Sequence, residues 1–332
     1  MPPHPRAAFA MSATSARQVL YPAAVARIAA AVDIDPDVVL DGFDGTDLAG
    51  VELLVTGWGC APITADVLAG APRLRAIVHT AGSVRGHVSE ACWERGIAVS
   101  SAAAANALPV AEYAVAMILL AGKRVPDIAR EFRAARVKRD WNVIHPDAGN
   151  YGATVGLLGA SLIGRRVADL LRPFDLEVLL HDPYADAGEI RALGAEPVGL
   201  DELFARSRVV SLHAPLLEST TGMVDARLLG LMRDGATLLN TARGGIVDHA
   251  ALERELLSGR LRAVLDVTTP EPLPPDSPLW DCDGVLLTPH IAGSTGNELR
   301  RLADFAAAEV ERWAAGQPFA HPVRRELLPL TA

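Results

Sequence analysis

Residues 154–182, TVGLLGASLIGRRVADLLRPFDLEVLLHD, decide how the chain is to be read. An apolar run at 154–159 leads into a glycine-spaced turn, then a stretch of helical spacing, then a second apolar run that ends at Asp182. That order predicts a strand, a tight loop, a helix and a parallel strand. Within it, 159–164 reads GASLIG, a GxGxxG pattern with Ser161 in place of the second glycine.

Each position has a physical part to play. Gly159 allows the sharp turn, Gly164 lets the helix lie close to the strand, and the amides of Ser161, Leu162 and Ile163 open the helix where a pyrophosphate can be received. Ser161 puts a Cβ where backbone approaches phosphate, so either the loop stands farther off or the hydroxyl donates to a phosphate oxygen. Asp182, 23 residues beyond Gly159, can accept both hydroxyls of an adenosine ribose and repels a 2′-phosphate, which favours NAD over NADP. Without a nucleotide the same segment is an ordinary α/β turn, with Asp182 capping the next stretch of chain.

Working outward, further apolar runs at 208–215, 236–242, 262–267 and 284–290 bring the expected strands of this half to six. Before it, 18–20, 52–58, 74–80 and 96–101 read as strands, with helical spacing around 23–32 and 64–68. Short apolar runs alternating with helices predict parallel sheets covered on both faces. An Ala-rich helix is expected at 109–122, with Pro in its first turn and Gly at its end, and a last amphipathic helix at 295–316. Residues 130–150 are polar, carry Trp141 and show weak periodicity, which fits an arm or long loop making a subunit contact.

Composition narrows the function class. The chain has 332 residues, a net charge of −9 and half its residues apolar. It has length for about two domains, and no Lys/Arg-rich run that would favour nucleic acid or anionic lipid. The three cysteines, Cys60, Cys92 and Cys282, share no metal or disulfide spacing, which fits a reducing cytoplasm. The longest apolar run, 113–121, is short for a bilayer span. The first 17 residues hold two arginines and no acid, faintly like a transit peptide, but read better as a frayed terminus.

The later strand ends carry TARGG (241–245), LDVTTPEPLP (265–274) and LTPHIAGST (287–295). In doubly wound sheets these ends line the ligand crevice, so Arg243, Asp266, Glu271 and His290 are candidates to converge. Their types suit hydride transfer to a 2-oxo acid. His290 supplies a proton to the carbonyl oxygen, Glu271 stabilises its imidazolium form, and Arg243 holds the carboxylate and polarises the carbonyl. Taken singly, each has a plainer role: a surface ion-pair partner, a solvated loop acid, a histidine approaching a helix.

Over roughly 74–302 the chain resembles the D-isomer-specific 2-hydroxyacid dehydrogenases, through GASLIG, HDPY, NALPVAEY (106–113), SLHAPLLESTTGM (211–223), LLNTARGGIVD (238–248) and the two motifs around Glu271 and His290. The resemblance implies two doubly wound parallel-sheet domains facing a cleft. One is a discontinuous, flavodoxin-like substrate domain of 1–103 plus 296–332, the other a Rossmann NAD domain of 104–295. It implies catalysis by Arg243, Glu271 and His290, and substrate carboxylate binding by Arg243 with the loop of Ala81, Gly82 and Ser83. Besides the glycine loop and Asp182, it implies cofactor contacts from His213, Pro215, Thr241, Ala242, Asp266 and Gly293, with Asp266 accepting from the nicotinamide amide.

Against the family pattern, Leu162 stands where an arginine often faces pyrophosphate, and Thr268 where an aromatic is usual. Formate dehydrogenases of the superfamily have glutamine where Glu271 stands. A regulatory domain of the kind found in longer phosphoglycerate dehydrogenases is not expected after residue 316. The implied activity is NADH-dependent reduction of a small 2-oxo acid such as glyoxylate, hydroxypyruvate or a phosphoglycerate-type substrate, in a cytoplasmic homodimer without metal. The alternative is an NAD(H)-sensing scaffold or corepressor on the same fold. His79 and His87, eight residues apart, lack a third ligand for a metal, and Trp58 and Trp141 fit core or interface packing.

Overall fold

The computed structural model describes residues 4–330. These fall into two compact units, one within Met1–Asn106 and Ser294–Thr331 and the other Ala107–Gly293. The discontinuous unit holds a parallel sheet of β1 (Ala7–Ala10), β2 (Val39–Leu40), β3 (Leu53–Thr56), β4 (Ala76–His79) and β5 (Ala98–Ser101), ordered β2-β1-β3-β4-β5. This is the flavodoxin-like order. Alternate residues feed opposite faces: Leu54 and Ile77 join one core cluster, Leu53, Val55 and Val78 the other. The C-terminal tail is tied into the same unit. The Val323 amide donates to the Val99 carbonyl (2.7 Å), and the buried Glu309, on the helix Leu299–Ala314, accepts from Ser100 Oγ (2.7 Å) and the Ala320 amide (3.1 Å).

The central unit holds β6 (Ala153–Leu158), β7 (Leu176–His181), β8 (Glu196–Pro197), β9 (Val209–Leu212), β10 (Thr237–Asn240), β11 (Arg262–Leu265) and β12 (Val285–Leu287), all parallel, in the order β12-β11-β10-β9-β6-β7-β8. Counted from β6 this is the dinucleotide-binding order with one more strand at its far edge, and the order reverses between β6 and β9. Here too the strands are apolar on both faces, Val210, Leu238 and Leu265 on one and Val209, Leu239 and Val264 on the other. The edge strand β8, two residues long, escaped the sequence because it has no apolar run.

Four expectations need correction. Residues 7–17 are ordered rather than frayed: AAFA forms β1 and Ser12 caps the helix Ala13–Val19 by accepting from the Ser15 amide (3.1 Å). Residues 18–20 are therefore not a strand; Val19 ends that helix and is fully buried. The Ala-rich helix starts at Ala103, not 109, and carries Pro109 inside it. At 20 residues it is long and apolar enough, by length and composition, to cross a membrane. Its Ala111, Ala114 and Ile118 are packed into the core of the central unit. The segment expected to be an arm is partly helical, Val125–Ala135 and Trp141–Ile144.

Candidate active site

The glycine loop leaves β6 at Gly159, whose φ of +105° admits few residues but glycine. A Cβ there would stand 2.7 Å from the Ala214 amide nitrogen, and one on Gly164 would overlap the Gly159 carbonyl. Both glycines are thus fixed by packing of the helix Leu162–Leu171 against the chain after β9. Ser161 is different. Its φ of −64° and ψ of 176° suit any L-residue, and its Oγ accepts from the Gly164 amide (3.3 Å), capping the helix. The missing second glycine is therefore replaced by an N-cap. Ile163 packs against the core, whereas Leu162 is 60% exposed.

Asp182, just beyond β7, caps the next stretch of chain, as its plainer reading expects, and also ties the glycine loop. One carboxylate oxygen accepts from the Ala160 amide (2.6 Å) and the other from the Tyr184 amide (2.8 Å), so it braces the loop and caps the next turn. Two oxygens keep further lone pairs for a ribose. Arg165 holds the same peptide from its other side, donating from Nε to the Ala160 carbonyl (2.9 Å) while its guanidinium pairs with Glu189 (2.8 Å). Arg165 had no assignment from sequence.

His213 is buried beneath the loop. Its Nε2 lies 2.9 Å from Ser211 Oγ, and burial pushes it down to about 3, which keeps the ring neutral. Pro215 is two residues on, its carbonyl accepting from Thr220 Oγ1 (2.6 Å). The buried Thr241 Oγ1 and His213 Nδ1 have no protein partner. Asn240, at the end of β10, folds the TARGG turn: its Oδ1 accepts from the Ala242 amide (3.0 Å) and its Nδ2 donates to the Arg243 carbonyl (2.9 Å). This residue too was missed, although an Asn directly before a turn is a turn-forming signal. Arg243 Nη1 donates to the Ala242 carbonyl (2.6 Å). A Cβ on Gly244 would overlap the Thr268 backbone, so the arginine turn lies directly against the loop that carries Glu271.

His290 has a φ of +55°, uncommon for a non-glycine residue. Asp266, 1% exposed at the end of β11, holds it there. The Asp266 carbonyl accepts from the His290 amide (2.9 Å). Its carboxylate accepts from the Ile291 and Ala292 amides (2.8 and 2.9 Å) and from Thr288 Oγ1 (2.6 Å). Because the Thr288 hydroxyl proton goes to Asp266, the Tyr113 hydroxyl 2.8 Å away donates to Thr288. The outcome is a 2.7 Å bond between His290 Nδ1 and Glu271 Oε1, with the two side chains 51% and 43% exposed. Glu271 fixes Nδ1 as the protonated nitrogen, and Nε2 is left to exchange a proton with a ligand.

In the other unit, Ala81, Gly82 and Ser83 form the loop after β4, with Ala81 fully buried and the other two half-buried. Trp58 is 40% exposed and so is not a core residue. Among the described residues no three His, Cys, Asp or Glu side chains are grouped to hold a metal. The donors suit a dinucleotide instead: a glycine cradle closed to any Cβ, a capped helix N-terminus, a carboxylate beyond the next strand and a buried, unpartnered Thr241 hydroxyl.

Comparison with known proteins agrees with this geometry. Residues 115–292 match the model of the D-isomer specific 2-hydroxyacid dehydrogenase, NAD binding domain. The D-3-phosphoglycerate dehydrogenase of Mycobacterium bovis is 34% identical over 256 residues, 77% of this chain and 48% of the relative, so the chain spans about half the length of that protein. The glyoxylate reductase of Korarchaeum cryptofilum is 34% identical over 272 residues, covering 80% of this chain and 81% of the relative. Among solved structures, the D-lactate dehydrogenase of Aquifex aeolicus, complexed with NAD and lactic acid, is 27% identical with a TM-score of 0.72, over 94% of this chain and 96% of that one. With the fingerprint loop, the strand order and the His290 and Glu271 pair in place, the chain belongs to the D-isomer specific 2-hydroxyacid dehydrogenase family, and its central unit is that family's NAD-binding domain.

Proposed function

We propose that the chain is an NAD-dependent oxidoreductase that reduces a small 2-oxo acid to a D-2-hydroxy acid. The observation that carries this is the 2.7 Å bond that His290 Nδ1 donates to Glu271, on a turn locked by Asp266. The activities named for the glyoxylate reductase and the D-lactate dehydrogenase support it.

NADH supplies the hydride when bound. Its pyrophosphate is assigned to Gly159, Ser161, Leu162, Ile163 and Gly164, its adenosine ribose to Asp182, and its remaining length to His213, Pro215, Thr241, Ala242, Asp266 and Gly293. Asp266 has one lone-pair direction left for the carboxamide. In the central unit Arg243 is assigned to the substrate carboxylate and carbonyl, and in the discontinuous unit the backbone amides of Ala81, Gly82 and Ser83 are assigned to carboxylate binding. His290 delivers a proton from Nε2 as negative charge grows on the carbonyl oxygen, and Glu271 stabilises the imidazolium before transfer.

The chain acts in the cytoplasm as a homodimer. Three free cysteines support the first. For the second, Val125, Phe132, Val137 and Val143 leave apolar surface exposed along 125–143, and sedimentation at micromolar concentration tests it. Purified protein with NADH and glyoxylate, hydroxypyruvate, pyruvate and longer 2-oxo acids tests the reaction: at least one oxidises NADH. NADH binding without turnover on any of them would leave the scaffold role instead.

A further inference from the structure

Two buried histidines remain outside this chemistry. His79 ends β4 and His87 closes the loop after it, so they bracket Ala81, Gly82 and Ser83. Both reach one atom on the neighbouring strand: Thr56 Oγ1 lies 2.9 Å from His79 Nδ1 and 3.2 Å from His87 Nε2. The rings stand 4.4 Å apart, and all three residues are at most 5% exposed.

A threonine hydroxyl has one proton. It donates to one ring and accepts from the N–H of the other, an arrangement that two neutral rings complete. Burial keeps them so, pushing His79 down to about 3, with His87 adding to the effect, and His87 to about 4. The backbone repeats the tie, because the Thr80 amide donates to the Thr56 carbonyl (2.8 Å) and the His87 carbonyl accepts from the Ile63 amide (2.8 Å). Between these anchors Ala81 is fully buried, Val84 packs into the core and its carbonyl accepts from the His87 and Val88 amides (3.2 and 3.0 Å), while the two glycines stand in open space. A Cβ on Gly82 would meet nothing closer than Asn106 at 3.9 Å, and Gly86 has open space around it.

We propose that Thr56, His79 and His87 form a clasp whose task is to set the backbone amides of Ala81, Gly82 and Ser83 for the substrate carboxylate. They are positioning residues, neither metal ligands nor proton carriers. The clasp depends on the proposed assignment of that loop to a 2-oxo acid. Amides that must point together at one anion lose affinity quickly when their loop is released.

The test is Thr56→Val, which removes the shared oxygen at nearly constant shape, with His87→Phe as an independent cut and Thr56→Ser as the rescue. KM for the best 2-oxo acid and the affinity of the protein with NADH for oxamate, a non-reacting carboxylate analogue, are measured together. In both cut variants KM and the oxamate dissociation constant rise about tenfold, kcat and NADH binding stay within about twofold, and serine restores the affinity. Folded variants with unchanged KM and oxamate binding would overturn the clasp. So would failure of both to fold, because a device confined to one loop leaves the unit standing. Wild-type protein that neither turns over a 2-oxo acid nor binds oxamate would instead overturn the function on which the clasp depends.

Discussion

Acidification exposes the three buried histidines, and its cost can be worked out. Burial lowers His79 and His213 to about 3 and His87 to about 4, each from 6.5. Below pH 6.5 the unfolded chain takes up these protons and the folded chain does not, so stability falls as pH falls. The loss begins near pH 6.5 and continues until the folded values are reached. From pH 7.5 to 5.5 each histidine costs on the order of 1 kcal/mol, or roughly 4 kcal/mol for the three, against a typical total of about 5–15 kcal/mol. Carboxylates, titrating near 4 when unfolded, contribute little in that window. Because His79 and His87 lie in the discontinuous unit and His213 in the central one, the first unit loses about twice what the second does. Urea unfolding at pH 7.5, 6.5 and 5.5, followed by tryptophan fluorescence and by circular dichroism, measures it. A total loss under about 1.5 kcal/mol would refute the argument, since it would mean that fewer than two protons are excluded by folding.

Other substitutions have equally definite outcomes. His290→Asn lowers kcat about 10²- to 10⁴-fold and leaves NADH affinity nearly intact by fluorescence titration; loss of NADH binding would make His290 structural. Asp182→Ala relaxes the preference for NADH over NADPH and also lowers the melting temperature, because the Ala160 amide loses its 2.6 Å acceptor. An unaltered ratio would remove Asp182 from the ribose site. Gly244→Ala drives a Cβ into the Thr268 backbone and costs about 1–3 kcal/mol by denaturation while raising KM through Arg243. Ser161→Gly keeps NADH affinity within about twofold and costs only a few tenths of a kcal/mol, as expected of an N-cap.

The sequence made the central unit easier to read than the discontinuous one, for a physical reason. Strands β6, β9, β10 and β11 are mostly buried and, like β7 and β12, carry runs of Val and Leu that read as apolar strands. β1 is AAFA, whose alanines favour helix as readily, and β2 and β8 are two residues each. At the candidate site, Gly159, Asp182 and His290 are legible from their places just after strands, where a doubly wound sheet gathers ligand contacts, and Glu271 from the loop after β11. The supports are not. Asn240 folding the arginine turn and Arg165 on the Ala160 carbonyl are local side-chain bonds to backbone, and Tyr113 acts across the fold, 175 residues from Thr288. Ser161 looked like damage to a glycine loop, and only its dihedral angles show a position that never needed glycine.

The central claim is stereospecific hydride delivery with His290 as proton donor. Its most direct test is the reduction of pyruvate or hydroxypyruvate with NADH deuterated at C4, the product resolved by chiral chromatography and mass spectrometry. A D-2-hydroxy acid carrying one deuterium at C2, formed by the wild type and lost in His290→Asn, is the expected result. An L product, or one without deuterium at C2, would contradict the account.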